Sequence, residues 1–141
     1  MEQIIDLLEE KNRFLEKFYR LNESEILKFA DGNFDGLELF YGERESILEI
    51  IGKLDGRIEE SSSAPVDPKF VSNVAKKQIL SNIDYKNEVV SRILEQDLQI
   101  LSFIEQAKSN IIRELSQVRA AKKAIGSYKS GEVNRHLDEE V

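Results

Sequence analysis

The fold is decided by residues 83–125, IDYKNEVVSRILEQDLQILSFIEQAKSNIIRELSQVRAAKKAI, in which one column of residues recurs every seven positions. Six of its seven members are apolar, and the column consists of Ile83, Val90, Asp97, Ile104, Ile111, Val118 and Ile125. A heptad sustained over this length is typical of a long helix that packs against other helices. Neighbouring columns contain Leu80, Leu94, Leu101 and Leu115, and Ile79, Ile93, Ile100, Ala107 and Ala121. We predict a helix that begins at 69 or 84 and ends near Gly126.

Two shorter helices are predicted upstream, at about 2–30 and 34–60. Apolar residues again recur every seven positions, at Leu7, Phe14 and Leu21 and at Phe40, Ile47 and Leu54. Asp31-Gly32-Asn33 ends the first helix, because glycine and asparagine accept left-handed backbone geometry. The second helix contains the glycines at 36, 42, 52 and 56. Each costs roughly 1 kcal/mol relative to alanine, so packing must hold this helix, and we expect the glycines to allow close helix approach.

The serine- and proline-rich segment 61–68 is a predicted linker, since its composition disfavours helix. The fold class is therefore all-α: an elongated antiparallel three-helix bundle or coiled coil with a long third helix. The bundle occupies residues 1–126, and 127–141 is a predicted flexible polar tail.

Composition excludes several classes of protein. The chain has 141 residues, 33% of them charged, no cysteine, one histidine and a net charge of -7. Without cysteine it has neither disulfides nor thiolate zinc sites, and one histidine is too few for a helical di-metal site. The acidic balance disfavours nucleic acid and anionic membranes, and no apolar run is long enough for a membrane span. We expect no catalysis, no cofactor, no metal and a cytoplasmic location.

Helix lengths give the first indication of function. At about 1.5 Å per residue, the first helix reaches ~42 Å and residues 84–126 span ~64 Å. We therefore expect the third helix to extend beyond its partners and leave apolar side chains uncovered. The expected partner-binding residues are Ile111, Ile112, Leu115, Val118, Ala121 and Ile125. Their occupant is a second copy of the chain in a homodimer, the chain's own tail, or the amphipathic helix of another protein.

Two polar residues interrupt the apolar columns. Arg44 either makes an ion pair that fixes helix register or packs its stem while its head stays solvated. A bundle folded back at residue 64 places Arg44 near Asp84 or Glu88 of the third helix, and near Glu16 or Glu23 of the first. A buried arginine requires one such carboxylate as a partner. Asp97 either specifies register within the seam or faces water where the first two helices turn.

The chain resembles the FlgN family of flagellar type III export chaperones over roughly residues 2–131. The similarity lies in Leu7-Leu8 with the charged amphipathic run to Arg20, Gly32-Asn33-Phe34-Asp35-Gly36-Leu37, Gly42-Glu43-Arg44-Glu45-Ser46-Ile47-Leu48, and Lys122-Lys123-Ala124-Ile125-Gly126-Ser127-Tyr128. FliT-type chaperones share the same outline. The polar end, 133–141, has no counterpart in the family pattern.

The resemblance implies a non-enzymatic cytoplasmic chaperone that holds hook-associated flagellar proteins unassembled before export, or the filament cap protein for the FliT type. Such proteins grip an amphipathic helix of the substrate with the carboxy-terminal part of their last helix. The resemblance also implies a link to the export gate through Tyr128. The residues alone give Lys122 and Lys123 a plainer role as partners of the helix dipole, and place His136 in an exposed tail. A self-associating coiled-coil scaffold is the alternative without a flagellar role.

Overall fold

The computed structural model describes residues 2–63 and 67–140, with side chains except at 68 and at 128–140. Its elements are α1 (Glu2–Ala30), α2 (Leu37–Ser63), a short 3-10 turn (Pro68–Phe70) and α3 (Asn73–Glu140). The all-α fold with three helices is confirmed, and no strand occurs in the described ranges. None of the helices, over the residues described, is long and apolar enough to cross a membrane.

The turn between α1 and α2 follows the glycine signal in the sequence. Gly32 has a φ of 78°, and its N–H donates to the Phe29 carbonyl at 2.9 Å. The Asn33 N–H donates to the Lys28 carbonyl at 2.9 Å, which completes a Schellman motif. Phe34 stacks on the Phe29 ring instead of joining the next helix, with ring centroids 4.8 Å apart. α2 therefore begins at Leu37, three residues later than predicted.

The start of α3 lies between the two predicted alternatives and closer to 69. The Ser72 hydroxyl accepts the Ala75 N–H at 3.0 Å, and the Ser72 carbonyl accepts the Lys76 N–H at 3.1 Å. Ser72 is thus the N-cap, and no fresh start occurs at Asp84. α2 continues to Ser63, and residues 64–66 of the predicted linker lie outside the described residues.

The predicted helix end near Gly126 is wrong, because α3 continues to Glu140. A single glycine costs a helix only about 1 kcal/mol, and no proline follows it to stop the hydrogen-bond ladder. The predicted tail 127–141 is therefore helical over its described backbone. The side chains of Tyr128 and His136 lie outside the described residues.

The chain divides into two compact units, Met1–Ser102 and Phe103–Val141. In the first unit α1 and α2 are antiparallel, as Lys11 pairs with Asp55 at 2.6 Å while the Phe29 and Phe40 rings lie 6.0 Å apart near the turn. All three helices supply the core of this unit. Its buried cluster consists of Leu15, Phe18, Ile51, Val89 and Ile93.

The glycines of α2 do not mediate close helix contact. A Cβ built at Gly42, Gly52 or Gly56 meets no atom within 4 Å, so the expectation of close approach is wrong there. Their faces lie in open space, and these glycines only lower the stability of the helix. At Gly36 the added Cβ would lie 3.4 Å from Glu25 Oε1.

Candidate functional site

The Arg44 guanidinium contacts two aromatic rings in the first unit. Its guanidinium carbon is 4.7 Å from the ring centroid of Phe18 in α1 and 5.1 Å from that of Phe40 in its own helix. Its Nη2 atom donates to Asp97 Oδ1 of α3 at 3.0 Å. The arginine side chain is 17% exposed and the aspartate 37%. Arg44 is therefore an ion-pairing residue that joins all three helices.

The predicted partners of Arg44 were wrong. Asp97 lies 13 positions beyond Asp84, which corresponds to about 20 Å along a helix. The prediction placed the fold-back at residue 64, whereas the pairing of 44 with 97 centres it near residue 70, at the 3-10 turn Pro68–Phe70. Glu88 instead makes an exposed pair with Arg92 at 2.6 Å within α3.

Two amide side chains, one from α1 and one from α3, continue the polar contact of Arg44 and Asp97 into the interface between α1 and α3. Asn22, fully buried, donates from Nδ2 to Gln96 Oε1 at 3.1 Å and to Asp97 Oδ1 at 3.5 Å. Gln96 in turn donates to the Tyr19 carbonyl at 3.0 Å. Asp97 therefore contacts side chains of α1 and α2 while its own side chain stays 37% exposed. Sequence reasoning missed Asn22 and Gln96, although Gln96 falls on the buried stripe of α3.

A second polar contact joins α1 to α3 closer to the start of α3. Asn12 donates from Nδ2 to the Asn82 carbonyl at 3.0 Å and to its Oδ1 at 3.2 Å. With Asn22 opposite Gln96, this contact shows that α1 and α3 run parallel. The Tyr85 hydroxyl donates to Glu16 Oε1 nearby, and this hydrogen bond raises the pKa of Tyr85 above its usual value.

The predicted partner-binding residues lie in the second unit and are exposed. We call Ile111, Leu115, Val118 and Ile125 the apolar face. At 100° per residue around the helix axis, the other three lie within about 40° of Ile111. Each is about half exposed. Ile112 and Ala121, also exposed, lie about 80–100° to either side of Ile111. Whether these residues bind a partner stays a prediction, and the Tyr128 side chain lies outside the described ones.

Two isoleucines on one side of α3 differ sharply in burial. Ile93 and Ile111 are 18 residues apart, which is five helical turns, so they share one angular position. Ile93, in the first unit, is 8% exposed and packs in the core. Ile111, in the second, is 54% exposed. Ile93 is therefore covered within the first unit, whereas Ile111 in the second unit is exposed.

Another exposed apolar row was not predicted. Leu94, Leu98 and Leu101 follow one another at i, i+4 and i+7 in α3, and each is more than half exposed. Leu94 and Leu101 belong to the column that neighbours the heptad seam in the sequence pattern. The bundle instead buries the stripe Val89, Ile93, Gln96 and Ile100. The two leucines lie about 80–100° away from that stripe and face solvent.

The first unit has a groove with a mixed polar and apolar lining. It has a volume of about 460 Å³, lies between α1 and α3 and is lined by Tyr19, Glu23, Ile26, Leu27, Arg92, Glu95, Gln96 and Gln99. No group of three or more acidic or histidine side chains among the described residues could hold a metal ion.

Comparison with known proteins finds no relative of this chain. No family model, no curated protein and no solved structure matches the chain.

Proposed function

We propose that the chain is a non-enzymatic cytoplasmic export chaperone of the FlgN type. It binds hook-associated flagellar proteins through an amphipathic helix and prevents their assembly before type III export. The proposal is supported by the sequence resemblance over residues 2–131 and, above all, by the exposed apolar face of α3 in the segment that such chaperones use.

The mechanism is burial of apolar surface. The partner helix lays its apolar side chains against Ile111, Leu115, Val118 and Ile125, which withholds those side chains from subunit–subunit contacts. Burying one such side chain contributes roughly 1.5–3 kcal/mol, part of which offsets the entropy lost on association. A face of four residues therefore suits a reversible complex that releases its cargo. Tyr128 is the proposed contact with the export gate.

The decisive experiment is a titration of the purified chain with a purified hook-associated protein. Leu115→Asp places a charge in the centre of the apolar face and is expected to weaken binding at least about tenfold, or 1.4 kcal/mol. Ser116→Asp is the matched control, since Ser116 is exposed and lies about 100° away on the same helix. Equal affinities for both variants would contradict the proposal.

The alternatives differ in partner. Binding to the filament cap protein, with no affinity for hook-associated proteins, would favour the FliT type. The heptad pattern of α3 favours a self-associating scaffold as the second candidate. Sedimentation equilibrium at micromolar concentration separates them, because a scaffold remains dimeric when either flagellar protein is added.

A further inference from the structure

Residues 103–127 of the second unit differ in charge from the rest of the chain. Residues 103–127 contain five basic and two acidic side chains, a net charge of +3, in a chain whose net charge is -7. The basic residues are Lys108, Arg113, Arg119, Lys122 and Lys123. All five are exposed. The segment that carries the apolar face is therefore a basic segment in an acidic protein.

Two of these cations lie along one edge of the apolar face, and a third lies within the face beside that edge. At 100° per residue, Lys122, Lys108 and Arg119 lie about 20°, 60° and 80° from Ile111, all on the same side. The opposite edge carries no cation, and contains Ala107, Asn110, Glu114, Gln117 and Ala121. We call Lys108, Arg119 and Lys122 the basic edge. Arg113 lies on the far side of the helix.

The basic edge has no carboxylate partner within the described part of the chain, where the ion pairs join other residues. Arg119 and Lys122 are three positions apart and repel each other. A partner that brings carboxylates to this edge would relieve that repulsion and add attraction. Charges beside an apolar helical seam select partners in this way.

We propose that the helix that docks on the apolar face is acidic, with Glu or Asp side chains along the margin that meets Lys108, Arg119 and Lys122. This inference rests on the docking step of the proposed function and names the chemistry of its partner. The seven-residue spacing of Ile104, Ile111, Val118 and Ile125 matches a helical partner.

The test uses the full chain and two 28-residue helical peptides. Both peptides have the same Ile/Leu heptad seam; one has Glu and the other Lys at the positions that flank it. Like charges keep each peptide monomeric. We expect the Glu peptide to bind at least about tenfold more tightly at 0.05 M salt, and the difference to shrink at 0.5 M salt because exposed charges are screened.

Charge reversal identifies the residues responsible. The triple variant Lys108→Glu, Arg119→Glu, Lys122→Glu is expected to bind the Lys peptide in preference to the Glu peptide. Arg113→Glu is the control, and it should retain the preference of the unmodified chain. Far-ultraviolet circular dichroism and thermal unfolding of each variant establish that the fold is intact.

Equal affinity for the two peptides, or a preference that survives the triple variant, would overturn the inference. Binding to phosphatidylserine vesicles that prevents both peptides from binding the apolar face would also overturn it. A stable homodimer that neither peptide disrupts would do the same. The proposed flagellar role fails separately. If the chain prefers the Glu peptide but does not bind hook-associated proteins, the inference of an acidic partner helix stands and the flagellar assignment fails.

Discussion

Arg44 and Asp97 are 53 positions apart in the sequence, and their side chains meet at 3.0 Å between α2 and α3. The arginine also lies over the Phe18 ring of α1. One cation therefore contacts every helix of the first unit. Because the guanidinium contacts two aromatic rings and a carboxylate at once, sliding α2 past α3 would separate the ion pair.

A double-mutant cycle tests this pair. Asp97→Ala is expected to lower the free energy of unfolding by about 1–2 kcal/mol, because it leaves a largely buried guanidinium without its acceptor. Arg44→Met should cost less, since methionine keeps an apolar stem that can pack against the rings. We expect a coupling energy of about 1 kcal/mol in urea denaturation, reduced by the partial exposure of Asp97. The exposed pair Glu88–Arg92 is the control and should couple by less than ~0.5 kcal/mol. Similar coupling for both pairs would contradict the assigned role.

The two isoleucines on one side of α3 give a second prediction. Ile93→Ala should destabilise the protein by about 2–4 kcal/mol, since it removes a buried side chain and leaves a cavity. Ile111→Ala should change stability by less than ~0.5 kcal/mol, because its side chain is already half exposed. Thermal and urea unfolding measure both. A loss at Ile111 that approaches the loss at Ile93 would mean that Ile111 is covered in solution.

Replacing two of the glycines with alanine should change the free energy of unfolding in opposite directions. Gly56→Ala is expected to stabilise the protein by about 0.5–1 kcal/mol, because an added Cβ there meets nothing and alanine favours the helix. Gly32→Ala should destabilise it by about 1–2 kcal/mol, because a φ of 78° forces alanine into a left-handed conformation. Differential scanning calorimetry of the two variants measures both changes. A gain at Gly32 would contradict the turn geometry.

The hydrogen bond from Tyr85 to Glu16 predicts a dependence on alkaline pH. It raises the pKa of Tyr85 in the folded state above the usual value of about 10, so the folded protein holds this proton more tightly than the unfolded chain does. Its contribution is fully present below pH 10 and is lost as pH rises through the folded pKa. Tyr85 is partly exposed, so we expect no more than ~0.5 kcal/mol.

Urea denaturation between pH 8 and 11 measures this contribution. Tyr85→Phe should be less stable than the unmodified protein at pH 8, and the difference should diminish as the pH approaches 11. Tyr41→Phe, at another exposed tyrosine, is the control. A difference between Tyr85→Phe and the unmodified protein that stays constant with pH would show that the proton of Tyr85 is not involved.

The heptad spacing predicted the helices well because periodicity reflects burial on one side of a helix. It did not predict how far each helix slides against its neighbour. That offset depends on where the chain turns, and the turn near Pro68–Phe70 moved the partner of Arg44 from Asp84 to Asp97. Gln96 was missed for a related reason, since hydrophobic patterning has no signal for an amide that is buried and hydrogen-bonded.

Composition also misled at Gly126. A glycine after a basic run resembles a helix end, but the helical hydrogen bonds end only where a capping motif replaces them. Gly32 has such a motif, formed by the Asn33 and Gly32 N–H groups, and there the helix does end. The binding role of the apolar face could be inferred from the unequal helix lengths and stays a prediction. The identity of the cargo depends on the resemblance alone.

The hydrogen bonds between α1 and α3 join residues 69 to 77 positions apart, whereas the α1–α2 turn is closed by bonds within five residues. Because nearby segments meet sooner than distant ones, we expect the hairpin of α1 and α2 to form first and α3 to dock afterwards. Until α3 docks, the hairpin lacks Val89 and Ile93, which complete the buried cluster with Leu15, Phe18 and Ile51. A growing chain must therefore leave the ribosome as far as these residues before it can shield its own interior.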